Sequence, residues 1–166
     1  MTRGVFTAAT TVTATGHNDV WDPPRCRLWN SANISHTTSG TLQALTFDTE
    51  TYDVLGMHST SVNTSRITVP ADGAGTYEIG GSIQWATNAT GYREIAIRVN
   101  GATIISYSRV PNSGGVDGSR NSIHTHYQLA VGDYVELLAN QNSGGALNVI
   151  AGSLHSPVFY AKWCAI

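Results

Sequence analysis

Tyr77-Glu78-Ile79-Gly80-Gly81-Ser82-Ile83-Gln84-Trp85 decides the fold class. Tyr77, Ile79, Gly81, Ile83 and Trp85 share one parity, so an extended chain gathers them on one dry face, and no helical periodicity competes with that pattern. Moving outward, Ile67-Thr68-Val69 runs into the turn residues Pro70-Ala71-Asp72-Gly73 on one side. On the other, Ile95, Ile97 and Val99, then Ile123, Tyr127 and Leu129, then Val135, Leu137 and Ala139 repeat the alternation. Turn chemistry separates these runs: Asn88-Ala89-Thr90-Gly91, Asn112-Ser113-Gly114-Gly115, Gly132-Asp133 and Asn142-Ser143-Gly144-Gly145. Asn100-Gly101 is the sharpest signal, because both residues tolerate the positive φ of a two-residue hairpin turn. About eight to ten short antiparallel strands follow from this count, an all-β sandwich or barrel.

The chain has 166 residues, of which 41% are hydrophobic, enough for one sizeable core and a short appendage. Only 12% are charged, against roughly a quarter in ordinary soluble proteins. Ser, Thr, Asn and Gly fill the difference and make a polar, weakly charged surface, suited to contacts with subunits or glycans. A net charge of −2 and no basic stripe leave nucleic-acid binding without its electrostatic footprint. No apolar run approaches the ~18 residues of a membrane span, and the first residues lack the apolar core of a secretory signal. The expectation is a protein made in the cytoplasm without a cleaved leader. Two cysteines, Cys26 and Cys164, are too few for a disulfide framework.

Residues 1–24 read differently from the rest. Thr13 to Trp21 suits a short helical turn capped by Thr13 and ended by Asp22-Pro23-Pro24. The segment is expected to be an anchoring arm and linker, with Phe6, Val12 and Trp21 as its apolar contacts, before a β domain over residues 25–166. A disordered terminus is the alternative.

The order of motifs resembles the C1q-like globular heads. Leu45-Thr46-Phe47-Asp48, Tyr52-Asp53, Ile67 through Tyr77 with its Pro-x-x-Gly turn, Arg98-Val99-Asn100-Gly101, Leu129-Ala130-Val131-Gly132-Asp133-Tyr134-Val135 and the closing Phe159-Tyr160-Ala161-Lys162-Trp163 are similar to that family's signature in order and spacing. The resemblance implies a ten-stranded C1q/TNF-like jelly roll that forms a homotrimer, its sheet with the first and last strands facing the three-fold axis. The collagen-like repeats that precede such heads in animals are absent. The leading segment, Val12-Thr13-Ala14 then His17-Asn18-Asp19, looks like the arm of bacteriophage structural proteins. That likeness implies a virion location, with capsid or tail proteins as partners and a role in capsid decoration, a head fibre or a tail fibre. A carbohydrate-binding or host-receptor-binding domain is the alternative, with a surface glycan as ligand.

Catalysis finds little support. The carboxylates are scattered over strands and turns with no pair at acid–base spacing, and no nucleophile-elbow, zinc-protease or P-loop motif occurs. No catalytic residue is assigned. His124-Thr125-His126 is the sharpest candidate. With Ile123, Thr125, Tyr127 and Leu129 inward, His124, His126 and Gln128 point the other way. In the resembling fold this strand lies near the axis, making His124, His126, Gln128 and Tyr160 axis candidates. Three readings stay open there: surface histidines without a ligand, a metal-free polar plug, or an axial transition metal held by His124 and His126. The expected cofactor is otherwise none. On the rim, Asn88, Tyr92 and Asn112 are ligand-contact candidates, while parity buries Trp85. The last strand and the strand of Cys26 are neighbours in the resembling fold, but Cys164 faces out and Cys26 in, so both are expected as free thiols.

Overall fold

A computed structural model describes residues 23–112, 118–152 and 154–165. Among these residues twelve strands follow one another: β1 (Arg25–Trp29), β2 (Ile34–His36), β3 (Gln43–Ala44), β4 (Thr49–Val54), β5 (Arg66–Thr68), β6 (Gly75–Gln84), β7 (Tyr92–Val99), β8 (Thr103–Pro111), β9 (Arg120–Leu129), β10 (Tyr134–Gln141), β11 (Leu147–Val149) and β12 (Val158–Ala165). One five-stranded sheet has the order β4-β1-β12-β6-β9. A second has the order β3-β10-β7-β8, with β5 also paired to β10, and β11 pairs with β2 in a small ribbon. Every pairing among these strands is antiparallel.

The opening stretch becomes β6, and its parity holds: Tyr77, Ile79 and Ile83 are buried in the sandwich, and Trp85, just past the strand, is fully covered. The two central glycines are explained by what meets them from opposite faces. A Cβ on Gly81 would stand 2.7 Å from the Leu137 side chain of the facing sheet, and one on Gly80 would stand 2.6 Å from the Tyr160 hydroxyl of β12. Their missing side chains let a leucine in from one side and a tyrosine from the other. Phe47 and Phe159 stack at 5.8 Å between centroids deep in this core. Burying such a side chain stabilises the fold by about 1.5–3 kcal/mol.

The turns obey their residues. Asn100 and Gly101 both have positive φ, 51° and 69°, and Ala102 N donates to Val99 O across them at 3.0 Å. The Asn100 amide then binds Asp133 Oδ1 at 2.8 Å and accepts from Tyr134 N at 2.9 Å, while Asp133 Oδ2 accepts from Ala130 N at 2.8 Å. Two turns at the same end of the sandwich are thus tied together. At Pro70, Gly73 N closes the turn onto Pro70 O, and the Tyr77 hydroxyl donates to Gly73 O at 2.6 Å. Burial pushes that phenol up to about 12.

The all-β reading agrees with this architecture. The two main sheets hold ten strands, and the ribbon of β2 and β11 raises the total above the expected eight to ten. Each ribbon strand has three residues, too few to show a period. One core assignment is corrected: Tyr127 is 38% exposed and Thr125 half-buried. Among the described residues β9 is an edge strand with a neighbour on one side alone, so the middle of its inner face is incompletely covered. The arm candidates Phe6, Val12 and Trp21, with the helical turn from Thr13, lie outside the described residues. β1 opens at Arg25, and Pro24 O accepts from Trp163 N at 2.9 Å.

Candidate assembly face and strand edge

The antiparallel register arranges the outer face of the β4-β1-β12-β6-β9 sheet into rows. One row runs Tyr52, Arg27, Tyr160, Gly80, His124, and the next Val54, Arg25, Lys162, Glu78, His126. Gln128 follows opposite Thr76. His124, His126 and Gln128 are all exposed on this face and Tyr160 is half-buried, so the register brings the four axis candidates to one surface. Tyr160 lies across Gly80, and its hydroxyl donates to Glu78 Oε1 at 3.2 Å. Desolvation, followed by the Glu78 charge, pushes this phenol above its usual value. Beside the tyrosine a shallow hollow of about 240 Å³ is lined by Arg27, Ser82, Ser122, His124 and Val158.

The two histidines differ in their company. Ligand atoms of His126, Glu78 and Cys164 all lie within 4.8 Å of one another, and His124 is outside that group. Cys164 is exposed and unbridged. Cys26 is buried on β1, whose register sets it opposite Ala161. Burial, with the nearby Asp53 and Glu50 carboxylates, pushes the Cys26 thiol far up.

The side of the sandwich formed by β8 and β9 has a different character. Each is the terminal strand of its sheet, and the two lie against each other across the sandwich. Ile104, Tyr107 and Tyr127 are 41%, 49% and 38% exposed on these strands; Ile104 and Tyr107, opposite Arg98 and Ala96, lie on the outer face of their sheet, and Tyr127, opposite Tyr77, on the inner face of β9. β8 spans nine residues and β9 ten. Arg109 and Arg120 are the only basic residues on these strands apart from histidine, and neither strand has a lysine.

The rim candidates Asn88, Tyr92 and Asn112 lie on and beside the loop before β7. Asn88 Oδ1 accepts from Thr90 N at 2.8 Å. Arg93, wholly buried, donates to Asn88 O, Thr90 O and Tyr92 O at 3.0, 2.9 and 2.8 Å. The Tyr92 ring lies 4.1 Å from the Arg109 guanidinium carbon. Asn112 is tied to the same loop through its N–H, which donates to Gly91 O at 3.1 Å. Residues 113–117 of the adjoining loop lie outside the described residues.

Sequence reasoning missed the polar cluster at Glu94. This carboxylate is 2% exposed and accepts from Tyr107, Arg109 and Asn140, the last at 2.6 Å. Desolvation pushes it up, but the three donors outweigh that and hold it below the ordinary carboxylate range. A second buried carboxylate, Glu136, accepts from Arg98 and from Ser65. Parity alone places both glutamates on the outer face of their sheet; only the register shows which residues lie over them. Other carboxylates hold turns: Asp53 accepts from Met57 N and His58 N, and Asp48 accepts from Ser31 N and the Ser31 and Thr49 hydroxyls.

No protein-family model matches the chain, and no curated protein sequence does. Solved structures match it in shape. The globular domain of zebrafish complement 1qA protein aligns with a TM-score of 0.53 at 14% identity, covering 84% of this chain and 96% of that one. Murine APRIL at pH 8.5 aligns with a TM-score of 0.58 at 8% identity, covering 83% and 98%. The crystal structure of murine APRIL at pH 5.0 gives 0.58 at 10% identity, covering 84% and 98%. Identities this low speak for the backbone path alone: the chain has the jelly-roll fold shared by C1q-like and TNF-like domains.

Proposed function

We propose that this protein is a non-catalytic structural module that works as a homotrimer on a bacteriophage particle, held there by its N-terminal arm as a capsid-decoration or fibre protein. The observation that supports self-assembly is the edge made by β8 and β9, which is unpaired among the described residues. Unprotected strand edges attract other chains, and soluble proteins guard them with lysine, proline or short length. These edges have two long strands, few charges and exposed apolar side chains on both faces, Ile104 and Tyr107 on one and Tyr127 on the other. A second copy packed on them covers those side chains, and closed cyclic symmetry stops growth at a fixed number. Three copies are favoured by the jelly-roll fold and by the row-like face bearing His124, His126 and Tyr160. The virion location rests on the likeness of residues 12–19 to phage arms.

Light scattering on the full chain tests the assembly. A mass near three times 17.6 kDa is expected, and Ile104→Arg with Tyr127→Arg should reduce it to one chain while near-UV circular dichroism stays native. A wild-type monomer overturns the trimer. Deleting residues 1–24 should leave the oligomer intact and abolish its attachment to particles; attachment by the truncated protein overturns the anchoring role.

A further inference from the structure

We infer that Glu78, His126 and Cys164 form a binding site for one transition-metal ion of the zinc type within each chain. Three strands supply it. Glu78 of β6 and His126 of β9 are register partners, so their side chains leave the sheet side by side on the outer face. Cys164 comes from the end of β12, where the pairing with β6 slips by one residue between Trp163 and Ala165. The cysteine is the extra residue of that bulge, and bulges re-aim a side chain relative to a regular ladder. The carboxylate oxygen, imidazole nitrogen and thiol sulfur all fall within 4.8 Å of one another. Zinc bonds of about 2.0–2.3 Å at tetrahedral angles require ligand atoms roughly 3.5 Å apart. Side chains at an exposed or half-buried surface close that gap by small rotations.

The donor set selects the metal. Calcium and magnesium take oxygen ligands, and a thiolate beside an imidazole favours zinc or cobalt. Three protein ligands leave one coordination position open for water or a further donor. The Tyr160 hydroxyl donates to Glu78 Oε1 at 3.2 Å, the kind of outer-shell contact that positions a ligand. His124 stands opposite Gly80, one row away, and contributes nothing to this site. The site therefore differs from an axial pair of His124 and His126 shared among three subunits, and it does not depend on the trimer.

Cobalt(II) titration of the reduced full-length chain tests it. One cobalt per chain is expected, with thiolate-to-cobalt charge-transfer absorption and tetrahedral ligand-field bands. Cys164→Ser should abolish the charge-transfer band. Glu78→Gln and His126→Gln should weaken binding at least about tenfold, the scale on which even outer-shell ligand contacts matter, and His124→Gln should leave it unchanged. Wild-type binding by any of the first three variants, or its loss in His124→Gln, overturns the assignment, as does a wild-type chain without the thiolate band. A second readout is independent of colour: at a zinc concentration that half-saturates the wild type, zinc should slow alkylation of Cys164 far more in the wild type than in His126→Gln. Equal protection in both also overturns it.

Discussion

Tyr160 of β12 crosses directly over Gly80 of β6, at a separation that leaves no room for a methyl group on the glycine. The hydroxyl thereby reaches Glu78, and β12 and β6 are tied together on the face that carries the histidine rows. Gly80→Ala should push the ring aside and destabilise the fold by about 1–2 kcal/mol, the usual scale for overpacking. The clash falls on a side chain that can rotate, which keeps the cost modest. Tyr160→Phe, which retains the ring, should cost about 0.5–1.5 kcal/mol for the lost hydrogen bond. Urea unfolding of the two variants checks the order.

Gly91 presents the opposite case. Its φ is 75°, and a Cβ would stand 1.7 Å from the backbone oxygen of Asn142, which has no rotamer with which to yield. Gly91→Ala should cost more than about 3 kcal/mol, above the usual penalty for a strained φ alone. Gly132, with φ 83° and open space around it, isolates the conformational part: Gly132→Ala should cost about 1–2 kcal/mol. Equal midpoints in urea for the two variants would contradict the assigned clash.

Glu94 sets an acid limit on stability. Its carboxyl lies below the ordinary range because, against desolvation, Tyr107, Asn140 and Arg109 all donate to it. A depressed folded value means that the stabilisation is fully present above the unfolded pKa of about 4.3 and fades as pH falls through the lower folded value. Glu94→Gln should destabilise by about 2 kcal/mol at neutral pH, near the lower end for hydrogen bonds to a charged group, since Arg109 is half-exposed and screened by water. The gap between wild type and variant should shrink below pH ~4. A gap that is constant from neutral to acid pH would remove the charge from the explanation.

The two thiols should separate cleanly. Cys164 is exposed, whereas Cys26 is buried with its thiol pushed up by desolvation and by the Asp53 and Glu50 carboxylates. Alkylation of the native, metal-free protein should add one group, at Cys164, and denaturant should admit a second. Two additions at equal rates in the native state would place Cys26 at the surface.

Period-2 alternation carried the long strands. Tyr77 to Ile83, Ile95 to Val99 and Val135 to Ala139 all face the core as their parity predicts, and Asn100-Gly101 makes its hairpin. Alternation also put His124, His126 and Gln128 on one outer face. It failed at Tyr127, because parity says which way a side chain points and not whether the opposite sheet extends far enough to cover it. Pairing partners were illegible for a related reason. Nothing local to Glu94 tells that Arg109 and Asn140 will flank it from neighbouring strands, and nothing local to Cys164 foretells the bulge that carries it toward Glu78 and His126. Cross-strand register is a property of the assembled sheet, set by turns and core packing together.

Arg93 leaves a freedom that no surface residue reveals. The buried guanidinium holds the loop before β7 through the carbonyls of Asn88, Thr90 and Tyr92, and every amino acid supplies a carbonyl. At Ala89 and Thr90 the outward chemistry can therefore be rewritten while the backbone beneath keeps its course. Shape and identity are uncoupled at this corner of the molecule, and a lineage under pressure to change what its surface displays has a place to do so without refounding the scaffold.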